Sequence, residues 1–272
     1  MKQRISQLQS PALAGVVKSR SVRGAIAEIK NCLCDGATMI DLHMSCLDSP
    51  DEQSLRYIME STRLPVLALN YNVKCDFSDA GFSEEARAEL FLRAVKAGAS
   101  GIDMQGYTFD LASKNRFCGE DKYSFTKGNP KEIVTDAEVI SKQCAFIDKV
   151  HSMGAEVLLS CHPDIAMTSE QIVDLALFLE KRNPDVIKIV TKAFTKEDLM
   201  QSIDAMIMIK KEVKTPVSYH ASGPCGAPTR MINPILGGHM IFCVDRYDES
   251  STMEQIDLRA AKAIIDNMNK II

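Results

Sequence analysis

Short apolar runs of four to six residues, each followed by a longer stretch whose apolar positions recur every three or four residues, repeat along the whole chain. A run too short for a helix and bounded by turn residues predicts a buried strand, and a 3.6-residue period predicts an amphipathic helix. Eight strands are predicted, at 13–17, 39–42, 66–69, 101–104, 157–160, 186–190, 216–219 and 239–244. Helical patterns lie between them, among others at 22–34, 83–97, 136–153, 169–182, 196–213 and 253–268. Strand and helix alternating throughout, rather than segregating, predicts a parallel sheet, and eight such units predict a (β/α)8 TIM barrel. No linker divides the chain, so residues 1–272 are expected to form a single domain.

Boundaries are marked where the backbone needs them. Thr168 precedes Gln171 by three residues and Thr195 precedes Asp198 likewise, the spacing at which a side-chain oxygen satisfies an orphan amide at a helix start. Gly36, Gly98 and Gly154 fall just after helical patterns, where a left-handed turn costs glycine least. The rhythm breaks at 106–135, which has no clear period and reads as a long loop after strand four. Long loops in compact domains are usually functional, and this one leaves the face on which barrels build their sites.

Composition narrows the partners. With 36 acidic against 32 basic residues the net charge is -4, so the chain lacks the basic field that nucleic acid or an anionic membrane requires. Residues 1–9 are polar and no stretch of about 18 apolar residues occurs, so no export or membrane signal is read and a cytoplasmic location is expected. Nine cysteines, in mostly apolar surroundings, are expected as reduced thiols; Cys32 and Cys34 lack the spacing of a zinc knuckle, and no metal is expected.

In a barrel the carboxyl ends of the strands converge on one pocket. Here they are rich in polar groups: Asp41 and His43 on strand two, Tyr71 and Asn72 after strand three, Gln105 on strand four, Ser160 and His162 on strand five, Lys188 on strand six and His220 on strand seven. Lys188, inside Val186-Ile187-Lys188-Ile189-Val190, is the least expected of them, because an ammonium enters an apolar strand only with a partner or a purpose. One reading makes it an amine nucleophile; the other pairs it structurally with a strand-end carboxylate such as Asp103. His162 stands where a proton shuttle would stand, or caps the strand. Arg230, after the glycine-containing turn Gly223 to Gly226, suits a carboxylate held by two hydrogen bonds, or lies on the surface. His43, His220 and His239 form a weaker candidate metal set without paired spacing.

Ser160-Cys161-His162, Lys188-Ile189, Arg230 and Gln255-Ile256 together resemble the type I 3-dehydroquinate dehydratase family, across most of the chain. The resemblance implies a lyase acting on a small carboxylated keto substrate without a cofactor. Lys188 and His162 would be catalytic, the first forming an imine and the second assisting it and removing the α-proton. Arg230 would hold the substrate carboxylate, and Gln255 would belong to a mobile loop near 246–255. It also implies a homodimer.

The family's strand-two, strand-three and strand-four positions are occupied here by Asp41, His43, Tyr71 or Asn72, and Gln105, and a late serine position by His239. Those residues are expected to contact the substrate differently, which points to 3-dehydroquinate or a related β-hydroxy ketone. The alternatives are a class I aldolase or transaldolase using the same lysine, and a catalytically silent barrel that binds a carboxylated ligand.

Overall fold

The computed structural model describes residues 2–71, 83–110, 133–163, 165–247, 251 and 254–270. Among them the predicted strands are all present: β1 (Ala12–Val17), β2 (Met39–His43), β3 (Val66–Leu69), β4 (Gly101–Gln105), β5 (Glu156–Cys161), β6 (Val186–Lys192), β7 (Val217–Ser222) and β8 (Met240–Val244). A ninth, β9 (Ile256–Asp257), was not predicted. It takes the first residues of the last helical pattern and pairs Ile256 with Cys243 and Val244 with Asp257. The α-helices are α1 (Val22–Cys34), α2 (Glu52–Glu60), α3 (Glu84–Lys96), α4 (Ala137–Ser152), α5 (Ser169–Glu180), α6 (Lys196–Glu212), α7 (Thr229–Ile235) and α8 (Leu258–Met268).

All pairings are parallel, in the order β7-β6-β5-β4-β3-β2-β1-β8-β9. The curled sheet returns on itself where the His239 amide donates to the Val217 carbonyl at 2.8 Å and Ser218 Oγ to the Met240 carbonyl at 3.1 Å. Both anticipated capping boxes form, on α5 through Thr168 and Gln171 and on α6 through Thr195 and Asp198. Gly36, Gly98 and Gly154 take positive φ, as their positions predict.

The period of two along the strands sorts the core into two layers. One alternate set, including Val17, Ile40, Leu42, Ala68, Ile102, Val157, Leu159, Ile187 and Ile189, packs with helix residues such as Ile29, Phe91, Ile147 and Leu179. The other set, Ala12, Ala14, Val16, Met39, Leu67, Leu158, Val186, Met240 and Phe242, clusters without any α-helix residue and so fills the barrel interior. Ile5 and Leu8 join this inner cluster and close its lower end. Two buried polar side chains hold them there: Glu156 accepts the Ser6 amide at 3.1 Å, and His239 Nε2 donates to the Ile5 carbonyl at 2.9 Å.

The expected loop at 106–135 begins with turns in which Thr108 and Asp110 donate their amides to the Gln105 and Tyr107 carbonyls; 111–132 lies outside the described residues. The same holds for 248–250, 252 and 253 of the expected loop at 246–255. Among the described residues six cysteines form no disulfide, but Cys46, just past β2, is disulfide-bonded, so the expectation of reduced thiols fails at that position. Bonding of this kind depends on which backbones approach each other, which the spacing of cysteines alone does not fix. No helix among the described residues is long and apolar enough to cross a membrane.

Candidate active site

Followed upward, the inward-facing positions turn from apolar to polar. After Met39 come Asp41 and His43, before Gln105 comes Asp103, after Leu158 come Ser160 and His162, after Val186 comes Lys188, and β7 contributes Ser218 and His220; all twelve of these side chains are buried. Lys188 pairs in register with Ser160 on one side and Ser218 on the other. Its Nζ lies 4.3 Å above the centre of the Phe242 ring, the top of the apolar interior. A buried cluster of ionisable groups costs stability unless each group is compensated, so its concentration at one end of the barrel is a functional signature.

The anticipated pairing of Lys188 with Asp103 is present. Nζ is 3.5 Å from Asp103 Oδ2, close enough for an ion pair, while that oxygen makes no hydrogen bond. Asp103 is held in place by Gln105, whose Nε2 donates to the Asp103 carbonyl at 2.8 Å and to Oδ1 at 3.2 Å. Gln105 Oε1 in turn accepts from Arg87 Nη2, and Arg87 is bound through Nη1 to both carboxylate oxygens of Glu84 at 2.7 and 2.8 Å. This network, fully enclosed between β3, β4 and α3, uses up the Gln105 amide. The structure therefore turns Gln105 toward Asp103 and Arg87 rather than toward a ligand, against its expected role in substrate contact.

His162, Lys188 and Arg230 are brought together. All three act on His220, which is buried among them and whose pKa is driven well below its ordinary 6.5, by burial first and then by electrostatic interaction with Arg230, Lys188 and His162. His220 was weighed in the sequence only as a metal ligand, although its place at the end of β7 already set it beside Lys188. Tyr71 links the other side: its ring meets His162 edge-on at 6.4 Å between centres and His43 at 6.0 Å. His43 Nε2 lies 3.3 Å from Asp41 Oδ2, and Asp41 Oδ1 is buried without a hydrogen bond. Ser160 Oγ, beside Lys188, is also buried without one.

Arg230 is positioned by the turn after β7. Gly223 adopts φ +90°, a region L side chains rarely enter, and a Cβ on Gly226 would run into the Ser222 carbonyl. Thr229 Oγ1 pins the turn by accepting the Ala221 amide at 2.8 Å and donating to the Gly226 carbonyl at 2.6 Å. Burial lowers the pKa of the Arg230 guanidinium and the nearby Glu254 counteracts it. Gln255 lies at the same mouth, its backbone carbonyl accepting Tyr247 OH at 2.7 Å and its Oε1 buried without a hydrogen bond. Glu254, which the sequence did not single out, pairs with Arg230, with Oε2 3.5 Å from Nη2.

His239 is not in this site. It precedes β8, so it lies at the entry end of the barrel, where Nε2 donates to Ile5 and Nδ1 accepts from Ser10 Oγ at 2.9 Å. The expectation of substrate contact is corrected by strand direction: a residue at the start of a strand faces the opposite end from the pocket. The same fact separates His239 from His43 and His220, and no cluster of three metal-ligating side chains occurs among the described residues. Asn72 lies outside the described residues.

A family model described as type I 3-dehydroquinase matches residues 131–271, about half of the chain. The chain belongs to the type I 3-dehydroquinase family. Solved structures of similar fold include the 3-dehydroquinate dehydratase of Geobacillus kaustophilus, with a TM-score of 0.77 at 12% identity over 99% of this chain and 97% of that one. The type I 3-dehydroquinate dehydratase of Clostridium difficile, solved with covalently modified comenic acid, has a TM-score of 0.75 at 15% identity over the full length of both. That of Enterococcus faecalis has 0.68 at 14% identity, over 97% and 98%. No curated protein matches the chain by sequence. The 3-dehydroquinase match contains His162, Lys188, His220, Arg230 and Gln255; it leaves out Asp41, His43, Tyr71 and Gln105.

Proposed function

We propose that this chain is a hydro-lyase that forms an imine through Lys188 and eliminates water from 3-dehydroquinate or a close carboxylated β-hydroxy ketone. The observation that carries the reading is the placement of Lys188 on β6 between His162, just past the neighbouring β5, and Arg230, on the helix that follows the neighbouring β7, all within the segment that matches the family. In the first step the Lys188 amine attacks the ketone carbon, and the carbonyl oxygen leaves as water to give an iminium. Asp103, 3.5 Å from Nζ, puts a negative charge where that positive charge forms.

His162 then takes the proton α to the iminium, the bond electrons pass to nitrogen as an enamine, and their return expels the β-hydroxyl, which leaves as water with the proton His162 returns. Hydrolysis of the remaining iminium frees the product and restores Lys188. One water is lost overall, since the water released on imine formation is consumed again on hydrolysis. Arg230 holds the carboxylate, which fixes the ring against the two reacting groups. Asp41, His43 and Tyr71 face the far side of the substrate, where this chain departs from the family's residue types.

Borohydride trapping tests the reading. The protein is incubated with 3-dehydroquinate and with candidate β-hydroxy keto acids, reduced, and analysed by mass. A stable adduct on Lys188 with at least one ketone, accompanied by turnover, is expected. An adduct without turnover would support the silent binding barrel, carbon-carbon cleavage would support an aldolase, and no adduct on the folded protein would remove the imine altogether.

A further inference from the structure

The guanidinium assigned above to the substrate carboxylate already faces a carboxylate of its own chain. Glu254 sets Oε2 3.5 Å from Arg230 Nη2, and its Oε1 accepts the Gly223 amide at 2.8 Å. A guanidinium and a backbone N–H are the donors by which a bound carboxylate is ordinarily held. Arg230 is 10% exposed and Glu254 30%, so the acid reaches a nearly enclosed cation from the mouth side. Arg230 Nε remains buried without a hydrogen bond, so Glu254 engages the guanidinium at one end only.

The segment that carries Glu254 is fixed at its base. β9 follows one residue later and pairs with β8, and Tyr247 OH binds the Gln255 carbonyl at 2.7 Å. Gly223, on the other side, is held in a conformation that aims its amide at the carboxylate, with φ +90°. Both partners of the contact thus belong to well-placed backbone.

We propose that Glu254 is a specificity-determining residue of the carboxylate subsite: it occupies Arg230 in the ligand-free chain, so a carboxylated substrate enters only by displacing it. This rests on the functional reading above, in which Arg230 is the carboxylate's partner. Binding through a displaced contact is weakened by the fraction of molecules in which that contact is open. The penalty falls on an anion, which needs the guanidinium; an uncharged ester of the same acid leaves the internal pair intact. Glu254 therefore compresses the preference for acid over ester that an unopposed arginine would create.

The test uses the full chain and two probes, 3-dehydroquinate and its methyl ester, and reads the concentration giving half-maximal borohydride trapping on Lys188. Glu254→Gln keeps the acceptor for Gly223 and removes the charge; Glu254→Ala removes both. In both variants the half-maximal concentration for the acid should fall by about tenfold, the change that a contact of this strength gives on being opened, and that for the ester should stay within about twofold. If the wild-type protein forms the adduct but the acid traps at the same or higher concentration in both variants, Glu254 does not oppose the substrate and the inference is overturned. If the wild-type protein forms no adduct with either probe, the functional reading fails, and this inference with it.

Discussion

The two halves of the barrel differ in what their polar side chains touch. From β5 to β8 the groups are reactive or charged and face the pocket: His162, Lys188, His220 and Arg230, all inside the family match. From β1 to β4 they are tied largely to one another. His43 lies against Asp41 and Tyr71, and Asp103 is gripped by Gln105, itself bound to Arg87 and Glu84. The contrast separates two requirements. An imine and a proton transfer need particular atoms at particular places, whereas the far side of a substrate can be read by many hydrogen-bonding sets, each suited to a different molecule.

If that division is correct, variants in the two halves should fail differently. Lys188→Ala should abolish the borohydride adduct with every ketone and lower turnover by more than about 10⁴-fold, as loss of a covalent nucleophile does, with an unchanged circular dichroism spectrum. His162→Ala should lower turnover by about 10² to 10⁴-fold while the trapped adduct still forms slowly and accumulates. Full activity in either variant would defeat the assignment.

Arg230→Ala should raise the Michaelis constant of a carboxylated substrate by about 30-fold or more, the effect of leaving a buried charge unpaired, with a smaller change in kcat. A change confined to kcat would mean that Arg230 does not bind the carboxylate in the ground state. His43→Gln belongs to the other half: it should leave adduct formation intact and change the ratio of kcat/KM between 3-dehydroquinate and an analogue by roughly tenfold. Loss of the adduct in this variant would erase the distinction between the halves.

The smallest effect concerns stability. His220 is held neutral in the fold, its pKa well below 6.5, while the unfolded chain takes up a proton near 6.5. Below that pH the unfolded state binds a proton the native state refuses, so the stabilising contribution is complete above 6.5 and is lost as pH falls, at up to about 1.4 kcal/mol per pH unit. His239, also lowered by burial, acts in the same direction. Urea midpoints at pH 7.5 and 5.5 should therefore differ less for His220→Asn than for the wild-type protein, and equal differences would show that His220 is not the group responsible.

What the sequence made legible was local or periodic. Eight strands and two capping boxes follow from spacing, and so does the placement of Lys188 on β6 and of His162 just past β5. Contacts made across the fold did not follow. Glu84 and Arg87, three residues apart on a helical pattern, carry no mark in the sequence of being enclosed as they are. Glu254 gained its role from Gly223 and Arg230, which lie 31 and 24 residues away along the chain. His239 departs from the expected site because it precedes β8 and so stands at the opposite end of the barrel, bound to Ile5.

The stopper at the lower end of the barrel also limits traffic. With Ile5 and Leu8 packed into the inner cluster and pinned by Glu156 and His239, the barrel is plugged from below and the polar end of the strands is open only from above. Under the proposed reaction, substrate, product and the water that hydrolyses the imine would share one doorway, so each turnover would have to clear the upper end before the next molecule could enter.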